Sequence, residues 1–282
     1  WGNVPMTVIN AIILGLVQGI AEFLPISSSG HLAILNNLFG MTTTENGHMF
    51  FDVLLHLGTL ISICIVYWQD IVDMFYEVLA FANLGPRAGE RQERYPAARL
   101  FFMIVLATLP LFLILPINDM LEGLYYNNVF IGLALILTGA MLYVSDKMKP
   151  GRKNENSMTV WDALIIGLCQ CVATIPGLSR SGTTITAGIA TGLRREFAVK
   201  FSFLMSLPAV LGANILSLVD AVREGIDMQY MPAYLIGTAV AMVSGIGAIS
   251  LLKYISKNSK FGGFAYYCWV AGALTIVLSM IF

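Results

Sequence analysis

The sequence predicts an all-α polytopic membrane protein made of two inverted-topology repeats, each a re-entrant helical hairpin followed by three transmembrane helices. Three observations predict it. First, the 282 residues are 57% hydrophobic and 12% charged, with mean hydropathy +0.76, whereas a soluble domain carries about 25% charged residues. Second, six apolar stretches are each long enough to cross a hydrocarbon core about 30 Å thick. Third, one segment recurs at an offset of 152 positions. Gly15-Leu-Val-Gln18-Gly-Ile-Ala21-Glu22-Phe-Leu-Pro25-Ile-Ser27-Ser28-Ser29-Gly30-His31 aligns with Gly167-Leu-Cys-Gln170-Cys-Val-Ala173-Thr174-Ile-Pro176-Gly177-Leu-Ser179-Arg180-Ser181-Gly182-Thr183. Each copy is an apolar run broken by Pro, then Ser, then Gly. Paired broken helices in an oily chain point to a polar site inside a membrane.

The six spans are expected at about 50–69, 99–117, 129–146, 197–220, 232–252 and 263–282. Two further pairs are too short to cross: 7–24 with 28–39, and 160–175 with 182–193. A helix of about 11 residues rises only ~16 Å, so the second member of each pair reaches about halfway, and each pair reads as a hairpin that enters and leaves on one side. The whole chain is then one integral membrane domain, 1–282, with repeat one at about 7–147 and repeat two at about 160–282. Three spans per repeat, an odd number, invert the second copy relative to the first. No cleavable leader is expected, because residues 6–24 run straight into the polar residues of the first motif.

The distribution of basic residues supports this topology. With the 70–98 connection on the cytoplasmic side, all 16 Lys and Arg residues fall inside except Arg223, which is outside, and Arg180, at the tip of the second hairpin. Both termini are then extracytoplasmic, hairpin one enters from outside, hairpin two enters from the cytoplasm, and their tips meet near the midplane. The 70–98 connection, with Gly85-Pro86-Arg87-Ala-Gly89-Glu90, reads as a solvated loop. Span glycines such as Gly132, Gly139, Gly237, Gly245 and Gly247 read as close-packing residues, within one chain or between the subunits of a homodimer. A net charge of -1 gives no footprint for nucleic acid. Cys64, Cys169, Cys171 and Cys268 lie in apolar stretches and lack the spacing of a zinc site.

The chemistry sits at the hairpin tips. Gln18 and Glu22, four apart, share a helix face. Pro25 ends that helix, and Ser27, Ser28 and Ser29 offer caps for the next. Helix N-termini bind phosphate through free N–H groups and partial positive charge; Gly30 keeps that backbone open and His31 sits in the first turn. In the second copy Ser179, Ser181, Gly182, Thr183 and Thr184 surround Arg180, whose planar fork grips phosphate oxygens. Ser and Thr at helix starts are usually only caps. A charge at a helix centre, however, costs roughly 2.5–3.5 kcal/mol even on insertion scales, and Glu22, His31 and Arg180 all fall at two related breaks. Asp52 and His56, at the start of the next span, are weaker candidates: one as a cap, the other as a packed histidine bonded to a neighbour.

These residues resemble the undecaprenyl-pyrophosphate phosphatases of the bacitracin-resistance family. The family's (E/Q)-x-x-x-E motif corresponds to Gln18 through Glu22, its F-L-P-[VI]-S-S-[ST]-G-H motif to Phe23 through His31, and its P-G-x-S-R-S-G-x-T motif to Pro176 through Thr184. The similarity runs through nearly all of 8–282. Gln18 stands where some members have Glu, which weakens position 18 as an obligatory charged metal ligand. The resemblance implies hydrolysis of C55 polyprenyl pyrophosphate to the monophosphate and inorganic phosphate, with Mg²⁺ or Ca²⁺, recycling of the cell-wall lipid carrier, and a site in the bacterial plasma membrane that opens extracytoplasmically.

The residues support a matching mechanism. Ser27, Ser29, Gly30, Ser179, Arg180, Ser181, Gly182, Thr183 and Thr184 would bind the pyrophosphate. Glu22, with Gln18, would hold the cation. Two nucleophiles stay open: Ser28 with His31 as base, or His31 itself with Glu22 moving protons. The competing class is a polyprenyl-phosphate transporter or flippase, since inverted repeats with broken midplane helices are a transporter architecture.

Overall fold

Thr7 begins the first helix, its hydroxyl accepting Asn10 N–H at 3.1 Å, and the apolar run behind it stays helical until Pro25 is near. The same logic of cap, apolar run and breaker governs the chain as seen in a computed structural model. It describes residues 6–39, 49–84, 95–117, 121, 123–258 and 261–281. Among the described residues there are eleven α-helices: α1 Val8–Phe23, α2 Ser28–Phe39, α3 Met49–Val66, α4 Trp68–Phe81, α5 Pro96–Thr108, α6 Asn128–Lys147, α7 Val160–Val172, α8 Arg180–Ala190, α9 Arg195–Glu224, α10 Met231–Asn258 and α11 Gly262–Ile281.

Among the described residues six segments are long and apolar enough to cross a membrane: Met49–Val66, Pro96–Leu113, Asn128–Lys147, Arg195–Arg223, Met228–Lys257 and Gly262–Ile281. Each overlaps one of the expected spans, and this is a multi-pass membrane protein. Outward-facing Leu133, Leu137 and Val144 on α6 and Ile215 and Leu216 on α9 are more than half exposed, as lipid contact requires. Trp68, Trp161 and Tyr254 stand exposed near helix ends, the usual level of interfacial aromatics.

The structure differs from the expectation in two places. The second span is not one regular helix. α5 stops at Thr108, and Leu109–Leu113 and Leu115–Ile117 follow as 3₁₀ turns, because Pro110 and Pro116 remove N–H donors from the ladder. The 70–98 connection is not all loop either. Trp68–Phe81 forms α4, which packs on α5. Its buried Glu77 accepts the N–H groups of Ala97 (2.7 Å) and Ala98 (3.0 Å), so a carboxylate caps α5 where Pro96 opens it. The stretch Gly85-Pro86-Arg87-Ala-Gly89-Glu90 lies outside the described residues.

Helix packing holds the short helices in place. α1 lies against α10, α7 against α5, α3 against α10 and α9, and α6 against α11. Glycines set the closest approaches: a Cβ on Gly15 would stand 2.3 Å from Gly237 O, and one on Gly167 2.3 Å from Ala107 O. Backbones this close gain van der Waals contact that lipid cannot replace. An aromatic core of Phe23, Tyr67 and Phe203 fills the space behind the α1 break, with Phe23 edge-on to Phe203 at 5.4 Å. On one face, Lys153 bonds both oxygens of Asp162 at 2.8 Å, and Arg195 bonds Asp146 at 2.8 Å. Asp162 also closes a capping box with Thr159 at the start of α7.

Overpacking a buried contact typically costs 1–3 kcal/mol. Gly15→Leu is therefore expected to lower the melting temperature in detergent by several degrees. Gly247→Leu, where a Cβ meets nothing within 4 Å, leaves it unchanged. Differential scanning fluorimetry of the two purified variants checks this.

Candidate active site

The α1–α2 break and the α7–α8 break touch. A Cβ on Gly30 would lie 3.1 Å from Gly177 Cα, a Cβ on Gly182 would lie 3.4 Å from Pro25 Cβ, and Ser181 Oγ donates to Leu24 O at 3.4 Å. Both turns need unusual backbone. Ser27 has φ 73° and Gly177 φ 87°, in the left-handed region that glycine enters freely and serine does not. The Ser27 turn does two things. It lets Ser27 Oγ accept Gly30 N–H at 3.1 Å, capping α2, and it points the Ser27 carbonyl at His31. Ser179 caps α8 in the same way, accepting Gly182 N–H at 3.1 Å, while its own N–H donates to Thr138 Oγ1 at 3.1 Å.

One hydrogen-bonded cluster spans the two tips. Ser28 Oγ donates to Glu22 Oε2 at 2.6 Å, Gln18 Nε2 donates to the same oxygen at 3.2 Å, and Arg180 Nη2 pairs with Glu22 Oε1. Glu22 and Gln18 are buried. Arg180 Nη1 is buried with no hydrogen-bond partner among the described residues, so one arm of the guanidinium neutralises the carboxylate and the other is available. The cluster continues outward: Gln18 Nε2 lies 3.0 Å from His56 Nδ1, and His56 Nε2 lies 3.9 Å from Asp52. His56 thus joins the site through Gln18. The signal available in the sequence is the four-residue spacing of Asp52 and His56 on one face of α3.

His31 stands beside this cluster. Its Nδ1 is 2.8 Å from Ser27 O and its Nε2 is 2.7 Å from Tyr267 Oη on α11. No hydrogen bond joins His31 to Ser28; the group placed to take the Ser28 proton is Glu22. Nothing in the sequence pointed to Tyr267, an aromatic in an apolar span 236 residues away.

The remaining candidates occupy the two tips with different degrees of freedom. Ser29 Oγ lies 3.3 Å from Ser27 Oγ, and Ser181 Oγ 3.2 Å from Ser179 Oγ. Thr183 Oγ1 is buried without a partner among the described residues. Thr184 Oγ1 turns away, to Arg180 O at 2.8 Å and Ser202 Oγ at 2.6 Å, and so steadies the backbone that carries Arg180.

Among the described residues no group of three or more His, Cys, Asp or Glu could hold a metal. Two of the oxygen groups in the cluster are Glu22, whose oxygens accept from Arg180, Ser28 and Gln18, and Gln18 Oε1, which is buried with no hydrogen-bond partner among the described residues. One carboxylate and one orphaned amide oxygen fit a hard cation that takes its other ligands from phosphates and water, as Mg²⁺ commonly does.

The family model of the bacitracin resistance protein BacA matches residues 11–274. Undecaprenyl-diphosphatase of Methanosphaera stadtmanae is 37% identical over 281 residues, covering 98% of this chain and 99% of that one. Undecaprenyl-diphosphatase of Alkaliphilus metalliredigens is 38% identical over 98% of this chain and 100% of its own, and that of Pelotomaculum thermopropionicum is 40% identical over 97% of each. By a family match spanning both broken-helix motifs and by relatives alignable end to end, this chain belongs to the bacitracin resistance protein BacA family.

Proposed function

We propose that the chain is an undecaprenyl-diphosphatase, hydrolysing the lipid diphosphate to the lipid monophosphate and inorganic phosphate. The observation that carries this reading is the Ser28–Glu22–Arg180 cluster: a hydroxyl donating to a carboxylate, and the carboxylate paired with a guanidinium that keeps one arm free. Phosphoryl transfer needs positioning and charge stabilisation more than elaborate covalent chemistry, and the cluster offers both.

The steps follow from the contacts. The incoming diphosphate engages the free Nη1 of Arg180 and draws the guanidinium from Glu22. Glu22 keeps its hydrogen bond to the Ser28 hydroxyl. It accepts the Ser28 proton as Ser28 Oγ bonds to the terminal phosphorus; the bridging P–O bond breaks and the lipid monophosphate leaves. Water then attacks the phosphoserine, its proton passing to His31 Nε2, and inorganic phosphate departs as Ser28 regains a proton from Glu22. Nδ1 of His31 faces a carbonyl, which can only accept, so Nε2 carries the basic lone pair of the neutral ring. A divalent cation held by Glu22 and Gln18 Oε1 would supply further charge neutralisation to the diphosphate when bound.

The architecture belongs to the same reading. α1 with α2, and α7 with α8, act as re-entrant hairpins in two inverted repeats. α2 and α8, of 12 and 11 residues, rise only about 16–18 Å. Reciprocal packing supports the symmetry: α1 rests on α10 in the second half and α7 rests on α5 in the first. With the positive-inside rule, the site opens extracytoplasmically. A lipid flippase is the second reading, favoured by this reciprocal packing. Binding an anion, however, needs Arg180 and backbone N–H groups and no hydroxyl–carboxylate pair.

Phosphate release from a C15 or C55 prenyl diphosphate by the purified protein in detergent tests the proposal. Ser28→Ala, Glu22→Gln and His31→Ala are each expected to lower kcat by about 100-fold or more. Arg180→Lys is expected to rescue little of the loss in Arg180→Ala, since a point charge does not replace the planar fork. EDTA is expected to stop turnover and Mg²⁺ or Ca²⁺ to restore it. Near-normal release by the Ser28 and Glu22 variants would sink the site assignment. Transport of a non-hydrolysable analogue across liposomes, with no phosphate released from the diphosphate, would favour the flippase.

A further inference from the structure

His31 has one basic lone pair and Tyr267 occupies it. Nδ1 lies 2.8 Å from the Ser27 carbonyl, an acceptor only, so Nδ1 carries the proton of the neutral ring. Nε2 then accepts, and the group 2.7 Å away is the Tyr267 hydroxyl, which donates to it. The two rings are nearly parallel, 10° between planes with centroids 5.7 Å apart. Tyr267 is half exposed while its successor Cys268 is fully buried, so the phenol is accessible while its backbone is packed.

That backbone is fixed on both sides. Cys268 Sγ is 3.7 Å from the Pro25 carbonyl at the α1–α2 break, and Trp269 Nε1 donates to Ile136 O at 3.2 Å. The Trp269 ring covers Gly139, where a Cβ would come within 2.6 Å of it. α11 is therefore keyed to the first hairpin and to α6 around Tyr267, and the phenol hydroxyl is held where it is by more than its own hydrogen bond.

We propose that Tyr267 is a proton relay between water and His31, a catalytic residue of the reaction assigned above, on which this inference rests. Water reaching the phosphoserine meets the phenol oxygen, which keeps a lone pair while its hydrogen points at Nε2. As the water oxygen bonds to phosphorus, its proton passes to Tyr267 Oη and the phenol proton passes to His31 Nε2. The phenol is neutral before and after. The imidazolium is held by two acceptors, Ser27 O at Nδ1 and Tyr267 Oη at Nε2. The phosphorus–Oγ bond to Ser28 breaks, and the cycle closes when His31 returns its proton through the same hydroxyl.

Tyr267→Phe keeps the ring and deletes only the hydroxyl. In the purified full chain in detergent, with a C15 prenyl diphosphate, kcat is expected to fall about 100-fold, the lower end of the range for one acid–base group, with KM changed less than about threefold. In ¹⁵N-histidine NMR, with His31→Gln for assignment, the His31 Nε2 resonance is expected to shift in Tyr267→Phe while Nδ1 keeps its proton. A kcat within twofold of the unmodified protein overturns the relay even if the resonance moves, and an unmoved resonance overturns it by removing the hydrogen bond. No phosphate release from the unmodified protein rejects the phosphatase reading and the relay together, a result distinct from an active protein beside an unimpaired Tyr267→Phe.

Discussion

A carboxylate and a guanidinium meet at the contact between two broken helices, and neither could be there without the other. A lone charge in hydrocarbon is costly, and removing one partner of a buried pair strands the other at a cost of about 3–5 kcal/mol. Glu22 comes from α1 and Arg180 from α8, 158 positions apart. The pair therefore acts as a tether between the two halves of the chain as well as a chemical unit. Gln18, Ser28, His56 and Asp52 are arranged outward from it, each bonded to a group closer to the pair.

Backbone geometry makes that meeting possible. Each tip must turn sharply where its N–H and C=O groups are largely shielded by the other tip. The two tips solve this with the same cap, a serine hydroxyl accepting the N–H three residues on, and with left-handed residues of different kinds. Gly177 enters that region freely. Ser27 does so at a cost of roughly 1–2 kcal/mol, and what it gains is a carbonyl aimed at His31. Strain at this one serine fixes which nitrogen of the imidazole is basic.

Much of this was legible from residue order. Apolar length marks the spans, Pro25 and Pro176 mark the breaks, and the repeated Ser–x–Ser–Gly pattern marks both caps. Glu22, His31 and Arg180 stand out as charges at two related breaks, but with Glu22 expected on a cation and Arg180 on phosphate, their pairing with each other is seen only in the fold. What escaped the sequence depends on tertiary contact. Trp68–Phe81 has loop-like charges, yet it is a helix that buries Met74 and Ala80, packs on α5 and caps the start of α5 with Glu77. Pro110 breaks a stretch whose hydropathy alone reads as one span. Tyr267 sits among Tyr266, Cys268 and Trp269, and only the fold distinguishes it from its neighbours. His56 is one of three histidines, and a bond to Gln18, 38 positions away, is invisible to spacing along one helix.

The resting bond between Glu22 and Arg180 also makes the enzyme its own competitor. On the proposed mechanism an incoming anion competes for the guanidinium with a carboxylate tethered to the same chain, whose effective concentration is high. A diphosphate, with more charge and more oxygens to engage the free arm of Arg180, meets that threshold more readily than a single phosphate group does. On that mechanism inorganic phosphate and the lipid monophosphate are the weaker competitors, and Glu22 would reclaim the guanidinium from them. The same contact that makes a buried charge tolerable would then set a lower limit on the anions worth holding.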